Sequence, residues 1–193
     1  MGALTGYLLL LNELNMCEKL VNVAIIGRFQ PFHWGHLEYL LAAAELSPNL
    51  IVGITNPYAE SHYVHSSNVS RSTPSSNPFT FEERQRMIEA SVLRLGTRLT
   101  FRKCDFRSRD LLVASLGTVD IVAVTIYDEW GQHRKALLEE AGYRVSTLWE
   151  RKYKITSGTA VRELIREGVE WQHLTPPGCA DVIKAVLAQR GTI

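Results

Sequence analysis

The chain has 193 residues, 46% of them hydrophobic and 21% charged, the balance of one folded domain and not of a disordered segment. Its 21 Lys and Arg against 20 Asp and Glu leave a net charge of +1, so no global basic field argues for a nucleic-acid partner and any anion site must be local. Cys17, Cys104 and Cys179 are odd in number, far apart and without metal-ligand spacing, which reads as a reducing, cytoplasmic setting with neither a disulfide framework nor zinc.

No run approaches the ~20 apolar residues of a membrane span. The nearest, Tyr7–Leu11, has no basic residue before it and no small-residue cleavage site after it. Residues 1–20 therefore read as an N-terminal extension, helical or disordered, ahead of a domain over 21–193. Val21–Ile26 is a β-branched, nearly all-apolar run, the pattern of a strand buried on both faces. His36–Leu46 has helical composition and is stopped by Ser47-Pro48. Leu50–Thr55 is a second buried-type strand. Residues 56–78 are rich in Ser and Pro, carry His62, His65 and Arg71, and read as a long loop, either a lid or disordered. Thr80-Phe81-Glu82-Glu83 is a capping box opening a helix to about Leu95. Leu99–Cys104 (strand), Asp110–Leu116 (helix), Val119–Thr125 (strand), Glu129–Ala141 (helix), Tyr143–Leu148 (strand), Thr159–Glu167 (helix) and Cys179–Gln189 (helix) complete the series. Alternating strands and helices predict an open parallel sheet with helices on both faces. In such sheets ligands bind beyond the carboxyl ends of the strands.

At the end of the first strand stands Gly27-Arg28-Phe29-Gln30-Pro31-Phe32-His33-Trp34-Gly35-His36. A fixed charge, two imidazoles and a glycine converge on a strand-to-helix turn whose helix start attracts anions, which makes a phosphate cradle. Two other readings stand beside it: incidental turn histidines, and a zinc site that would lack a third ligand and the usual i, i+4 spacing. Ser157-Gly158-Thr159 opens a later helix, with hydroxyls and backbone N–H groups free for a polyphosphate. Arg162 sits one turn on, in reach of the same anion or of solvent.

His33-Trp34-Gly35-His36 resembles the HxGH signature of the nucleotidylyltransferase superfamily. The longer run from Gly27 is similar to the opening of its archaeal-type nicotinamide mononucleotide (NMN) adenylyltransferases. Thr156-Ser157-Gly158-Thr159-Ala160-Val161-Arg162 resembles the ISGTxIR motif, with Thr156 in place of isoleucine. Asn77-Pro78-Phe79-Thr80 leading to Glu83-Arg84, and Gly168–Leu174, extend the likeness over about residues 22–190. The resemblance implies a Rossmann-like, doubly wound α/β domain that transfers a nucleoside monophosphate from a nucleoside triphosphate to a small phosphorylated acceptor. It implies a homo-oligomer that binds neither nucleic acid nor membrane. His33, His36, Arg28 and Arg162 would be catalytic, holding triphosphate oxygens and stabilising charge at the α-phosphate. Gly27, Phe29, Gln30, Gly35, Ser157, Gly158 and Thr159 would line the nucleotide site, with Mg²⁺ bridging phosphate oxygens and no dedicated protein ligand. Asn56, Arg84, Thr125, Tyr127, Asp128 and Trp130 would face the acceptor. Arg84 has a second reading, a solvated arginine on a surface helix.

One stretch departs from the pattern. Where the archaeal-type enzymes carry a small Ser-Gly-Asn-Pro-like segment, this chain has Thr125-Ile126-Tyr127-Asp128-Glu129-Trp130. Tyr127 or Trp130 could stack on nicotinamide, so ATP with NMN, giving NAD, stands first. Alternatively the bulk leaves room only for a small phosphonate or alcohol phosphate, with CTP as donor. A non-catalytic nucleotide sensor on the same fold is the reading of another class.

Overall fold

The computed structural model describes residues 22–57, 73–93 and 95–193. The elements run β1 (Val23–Gly27), α1 (Trp34–Ala44), β2 (Asn49–Thr55), α2 (Phe81–Ser91), β3 (Arg98–Cys104), α3 (Arg109–Leu116), β4 (Ile121–Ile126), α4 (Glu129–Glu140), β5 (Val145–Glu150), α5 (Gly158–Glu167) and α6 (Pro177–Arg190), with short 3₁₀ turns at Pro74–Ser76 and Gln172–Leu174. The five strands form one parallel sheet in the order β3-β2-β1-β4-β5.

The period-two geometry of β1 explains its unbroken apolar run. Val23 and Ile25 enter one core with Leu40, Met87, Val161 and Ile183, while Ala24 and Ile26 enter the other with Leu112, Leu116 and Leu138. Helices α1, α2, α5 and α6 therefore cover one face and α3 and α4 the other. This is the doubly wound, Rossmann-like arrangement, and the strand order reverses between β1 and β4, where such sheets open a crevice.

Several expected bounds shift: α2 ends at Ser91 and not near Leu95, β4 starts at Ile121 and not at Val119, and three further shifts have a local cause. Helix α1 starts at Trp34, not at His36, because the His33 side chain serves as its N-cap. β5 starts at Val145, because Gly142 (φ 92°) and the bond from Tyr143 N–H to Leu138 C=O prolong the exit from α4. The last helix starts at Pro177, a residue favoured in the first turn. Cys17, residues 1–20, His62, His65, Arg71 and most of the 56–78 loop lie outside the described residues. Cys104 and Cys179 are buried and unbridged. Among the described residues no helix is long and apolar enough to cross a membrane.

Candidate active site

The cleft lies over the carboxyl ends of the strands, centred on the β1/β4 crevice, with a cavity of about 340 Å³. The β1–α1 turn forms its floor. Phe29 turns through the left-handed region (φ 51°) and buries its ring against the His36 imidazole, centroids 4.9 Å apart. A Cβ on Gly27 would lie 2.8 Å from that ring, so glycine is required there. Gln30 is buried, and its amide donates to Phe79 C=O (2.8 Å) and accepts from Phe79 N–H (3.0 Å). It thereby ties the turn to the Asn77–Thr80 segment as a strand partner would.

His36 N–H donates to His33 Nδ1 (3.4 Å), which leaves the proton of a neutral His33 ring on Nε2. The two rings stack at 3.6 Å. Burial, reinforced by Lys154 and Arg162, pushes His33 down to about 3. Burial, then His33 and Arg28, holds His36 well below its ordinary value, and its Nδ1 is buried with no hydrogen-bond partner among the described residues. Both imidazoles are thus neutral near pH 7, and polarised toward any anion that enters.

Across the cleft, Ser157 Oγ caps α5 by accepting from Ala160 N–H (3.1 Å), which leaves its hydroxyl proton to donate. Arg162 is buried, donating to Gln30 C=O and to Thr159 Oγ1 (3.2 Å). A side chain at Gly158 would collide with the Gln30 carbonyl, so this glycine lets α5 abut the β1–α1 turn. The N-termini of α1 and α5, with His33, His36, Ser157, Thr159 and Arg162, therefore converge on one anion-sized space. Arg28 lines it from the side, reaching Ser76 C=O (3.3 Å) and Asn77 Oδ1 (3.4 Å).

The expected acceptor residues divide. Asn56, Thr125, Tyr127, Asp128 and Trp130 line the cleft. Tyr127 Oη accepts from Trp149 Nε1 (2.8 Å), and Asp128 caps α4 through Gly131 N–H (3.0 Å) while pairing with Lys154 Nζ at 3.0 Å. Arg84 lies behind the cleft and is neither solvated nor lining. It is 1% exposed, and its guanidinium donates to the carbonyls of Thr80 (3.1 Å), Arg28 (2.7 Å), Thr55 (2.7 Å) and Asn56 (2.9 Å). Those bonds hold the ends of β1 and β2, and burial lowers the Arg84 pKa to about 10. Arg134, Lys154, Phe106 and Tyr39 also line the cleft and were not singled out by the sequence. Arg134 and Lys154 hide inside basic stretches, His133-Arg134-Lys135 and Arg151-Lys152-Tyr153-Lys154. For Lys154, its place two residues before the Thr156 motif was the available signal.

Residues 24–164 match the model of the cytidylyltransferase-like family. The chain belongs to that family. Among its relatives, the phosphonoformate cytidylyltransferase of Streptomyces viridochromogenes is 39% identical over 174 residues, 86% of this chain and 93% of that one. The nicotinamide-nucleotide adenylyltransferase of Methanoculleus marisnigri is 31% identical over 164 residues, 83% and 89% of the two chains. Among solved structures, a bifunctional NMN adenylyltransferase/ADP-ribose pyrophosphatase of Francisella tularensis, crystallised with AMP and a manganese ion, superposes with a TM-score of 0.55 at 20% identity, over 81% of this chain and 44% of that longer one. That likeness speaks for the fold. This member of the cytidylyltransferase-like family is a nucleotidylyltransferase, an enzyme moving a nucleoside monophosphate from a triphosphate with release of pyrophosphate.

Proposed function

We propose that the protein transfers a cytidylyl group from CTP to a small phosphonate or phosphate acceptor. The observation that carries this reading is the 39% identity with a phosphonoformate cytidylyltransferase over nearly all of both chains. The cleft supports it. Tyr127, braced by Trp149 and with Lys154 5.4 Å from its ring centre, puts bulk into the cleft, which in this reading leaves less room for a second nucleoside.

In this reading an already ionised acceptor oxygen attacks the α-phosphorus in line. The new P–O bond forms as the bond to the bridging oxygen breaks, and pyrophosphate departs with that electron pair. No enzyme nucleophile or base is needed, so positioning and charge neutralisation carry the rate. His33, through Nε2–H, and His36 would donate to oxygens on the α-phosphate as charge grows there. Arg162, Thr159 and Ser157, with the α5 N-terminus, would hold the departing pyrophosphate, and Arg28 would flank it. A divalent cation, Mg²⁺ in our reading, would supply further neutralisation of the triphosphate charge. Asp128 is the one carboxylate among the described cleft-lining residues and already pairs with Lys154. A cytoplasmic setting accords with two unbridged cysteines, and we retain a homo-oligomer as the expected state.

ATP with NMN is the second reading, favoured by relatives named nicotinamide-nucleotide adenylyltransferases at 28–31% identity. The test supplies CTP and ATP separately, each with phosphonoformate and with NMN, and measures pyrophosphate release. Turnover of CTP with phosphonoformate is expected. Turnover of ATP with NMN alone would establish the second reading in its place.

A further inference from the structure

We propose that Arg134 is the acceptor-binding residue, its guanidinium holding the anionic group of the acceptor from the sheet face opposite the pyrophosphate cradle. This deepens the proposed function, since it requires a transfer to an anionic acceptor. Arg134 stands on α4 and reaches into the β1/β4 crevice. Its Nη1 donates to Ile26 C=O, on β1, and its Nη2 to Thr125 C=O, on β4, both at 3.2 Å. The guanidinium therefore bridges the two strands at the point where the cleft opens, and it lines the cavity. Among the described residues its buried Nε has no hydrogen-bond partner and no carboxylate pairs with it. Lys154, by contrast, is already paired with Asp128.

Among the described residues this partly buried guanidinium meets two neutral carbonyls at 3.2 Å and no counter-charge, and is poorly compensated. An anion offering two oxygens would complete it. The topology says which anion. In-line displacement puts the attacking and leaving oxygens on opposite sides of the α-phosphorus. The groups suited to the leaving pyrophosphate, Ser157, Thr159 and Arg162, stand at the start of α5, which covers one face of the sheet. Arg134 comes from α4 on the other face. It is thus the cation placed on the attacking side, beside Phe106 and Asn56 at the ends of β3 and β2.

The test uses Arg134→Gln and Arg134→Lys in the full chain, with whichever pair the wild type turns over, CTP with phosphonoformate or ATP with NMN. The KM of donor and acceptor are measured separately, and phosphonoformate and NMN binding to the nucleotide-loaded protein is read by calorimetry. Arg134→Gln is expected to raise the acceptor KM by about 10- to 100-fold, the weight of a charged hydrogen-bonded contact, and to leave the donor KM little changed. Arg134→Lys is expected to fall between, because it keeps the charge and loses the fork. Donor and acceptor KM rising together, or an unchanged acceptor KM, would overturn the assignment. Should Arg134→Gln not fold, the lysine variant decides on the same criterion. A wild type that binds phosphonoformate without turning it over sinks the proposed reaction, while the variants' loss of that binding still supports Arg134. If the wild type binds neither acceptor, the assignment falls.

Discussion

The cradle at the starts of α1 and α5 and the rim built by β4, β5 and residues 150–155 are held by different kinds of bond. In the cradle, side chains grip backbone: Gln30 on Phe79, Arg162 on the Gln30 carbonyl, Arg84 on four carbonyls, His33 on the His36 amide. Along the rim, side chains grip one another. Trp149 donates to Tyr127, Lys154 pairs with Asp128, Arg151 with Glu38 at 2.7 Å, and Gln132 donates to Glu150 at 3.2 Å. A backbone-anchored site keeps its shape through most surface substitutions, whereas a rim of exposed pairs is exchanged at a cost of about 1 kcal/mol or less per pair. In the proposed reading, reaction type is therefore written into the cradle and substrate choice into the rim.

The largest effect expected from breaking this division is at His36. His36→Ala should lower kcat on the order of 10²–10³, with a smaller change in nucleotide affinity, because charge grows at the α-phosphate only on the way to the transition state. Stopped-assay pyrophosphate release beside direct nucleotide titration measures both, and near wild-type turnover would remove His36 from the mechanism. Arg84→Leu tests the anchoring itself. It leaves four carbonyls without their shared donor and should lower stability by about 3 kcal/mol or more, read as a shifted urea midpoint. A midpoint within error of wild type would mean the clamp is dispensable.

The third prediction uses acid. His33 titrates near 3 when folded against 6.5 as its ordinary value, and His36 is displaced in the same direction. Below 6.5 the unfolded chain takes up protons that the folded protein refuses. Stability should therefore fall as pH drops from 6.5 toward 3, by roughly 1.4 kcal/mol per pH unit for His33, with His36 adding in the same direction. Saturating CTP should blunt the fall, since phosphate favours the imidazolium. An equally steep profile in the His33→Gln variant would show that the lability lies elsewhere. The smallest effect belongs to the rim. Lys154→Ala should cost about 1 kcal/mol or less in stability, while shifting substrate KM. A collapse of kcat as large as that of His36→Ala would erase the distinction drawn above.

The sheet and its covering helices were legible because strands buried on both faces leave continuous apolar runs such as Val23–Ile26, and because Thr80 and Gly168 mark helix ends with ordinary chemistry. The start of α1 was misplaced since a histidine N-cap is rare beside Ser, Thr, Asp and Asn. The cradle was legible because its residues cluster in two short motifs. Arg84 was ambiguous because Glu82, Glu83 and Arg86 around it look like a solvated face. Only the approach of residues 28, 55 and 56, brought in by the sheet, turns it inward. Arg134 escaped for a similar reason, as its partners Ile26 and Thr125 lie 108 and 9 residues away.

Phe29 and Asn56 both sit in the left-handed region, at φ 51° and 50°, where a side chain costs of order 1 kcal/mol or more. Each adjoins a carbonyl held by Arg84: that of Arg28 in the first case, its own in the second. These turns keep their shape only while α2 is docked. Any excursion in which α2 lifts off the sheet also relaxes the floor under the nucleotide. Ligand binding and the local opening of α2 thus oppose one another, although Arg84 lies outside the cleft. A nucleotide in the cleft should slow amide hydrogen exchange along Phe81–Ser91.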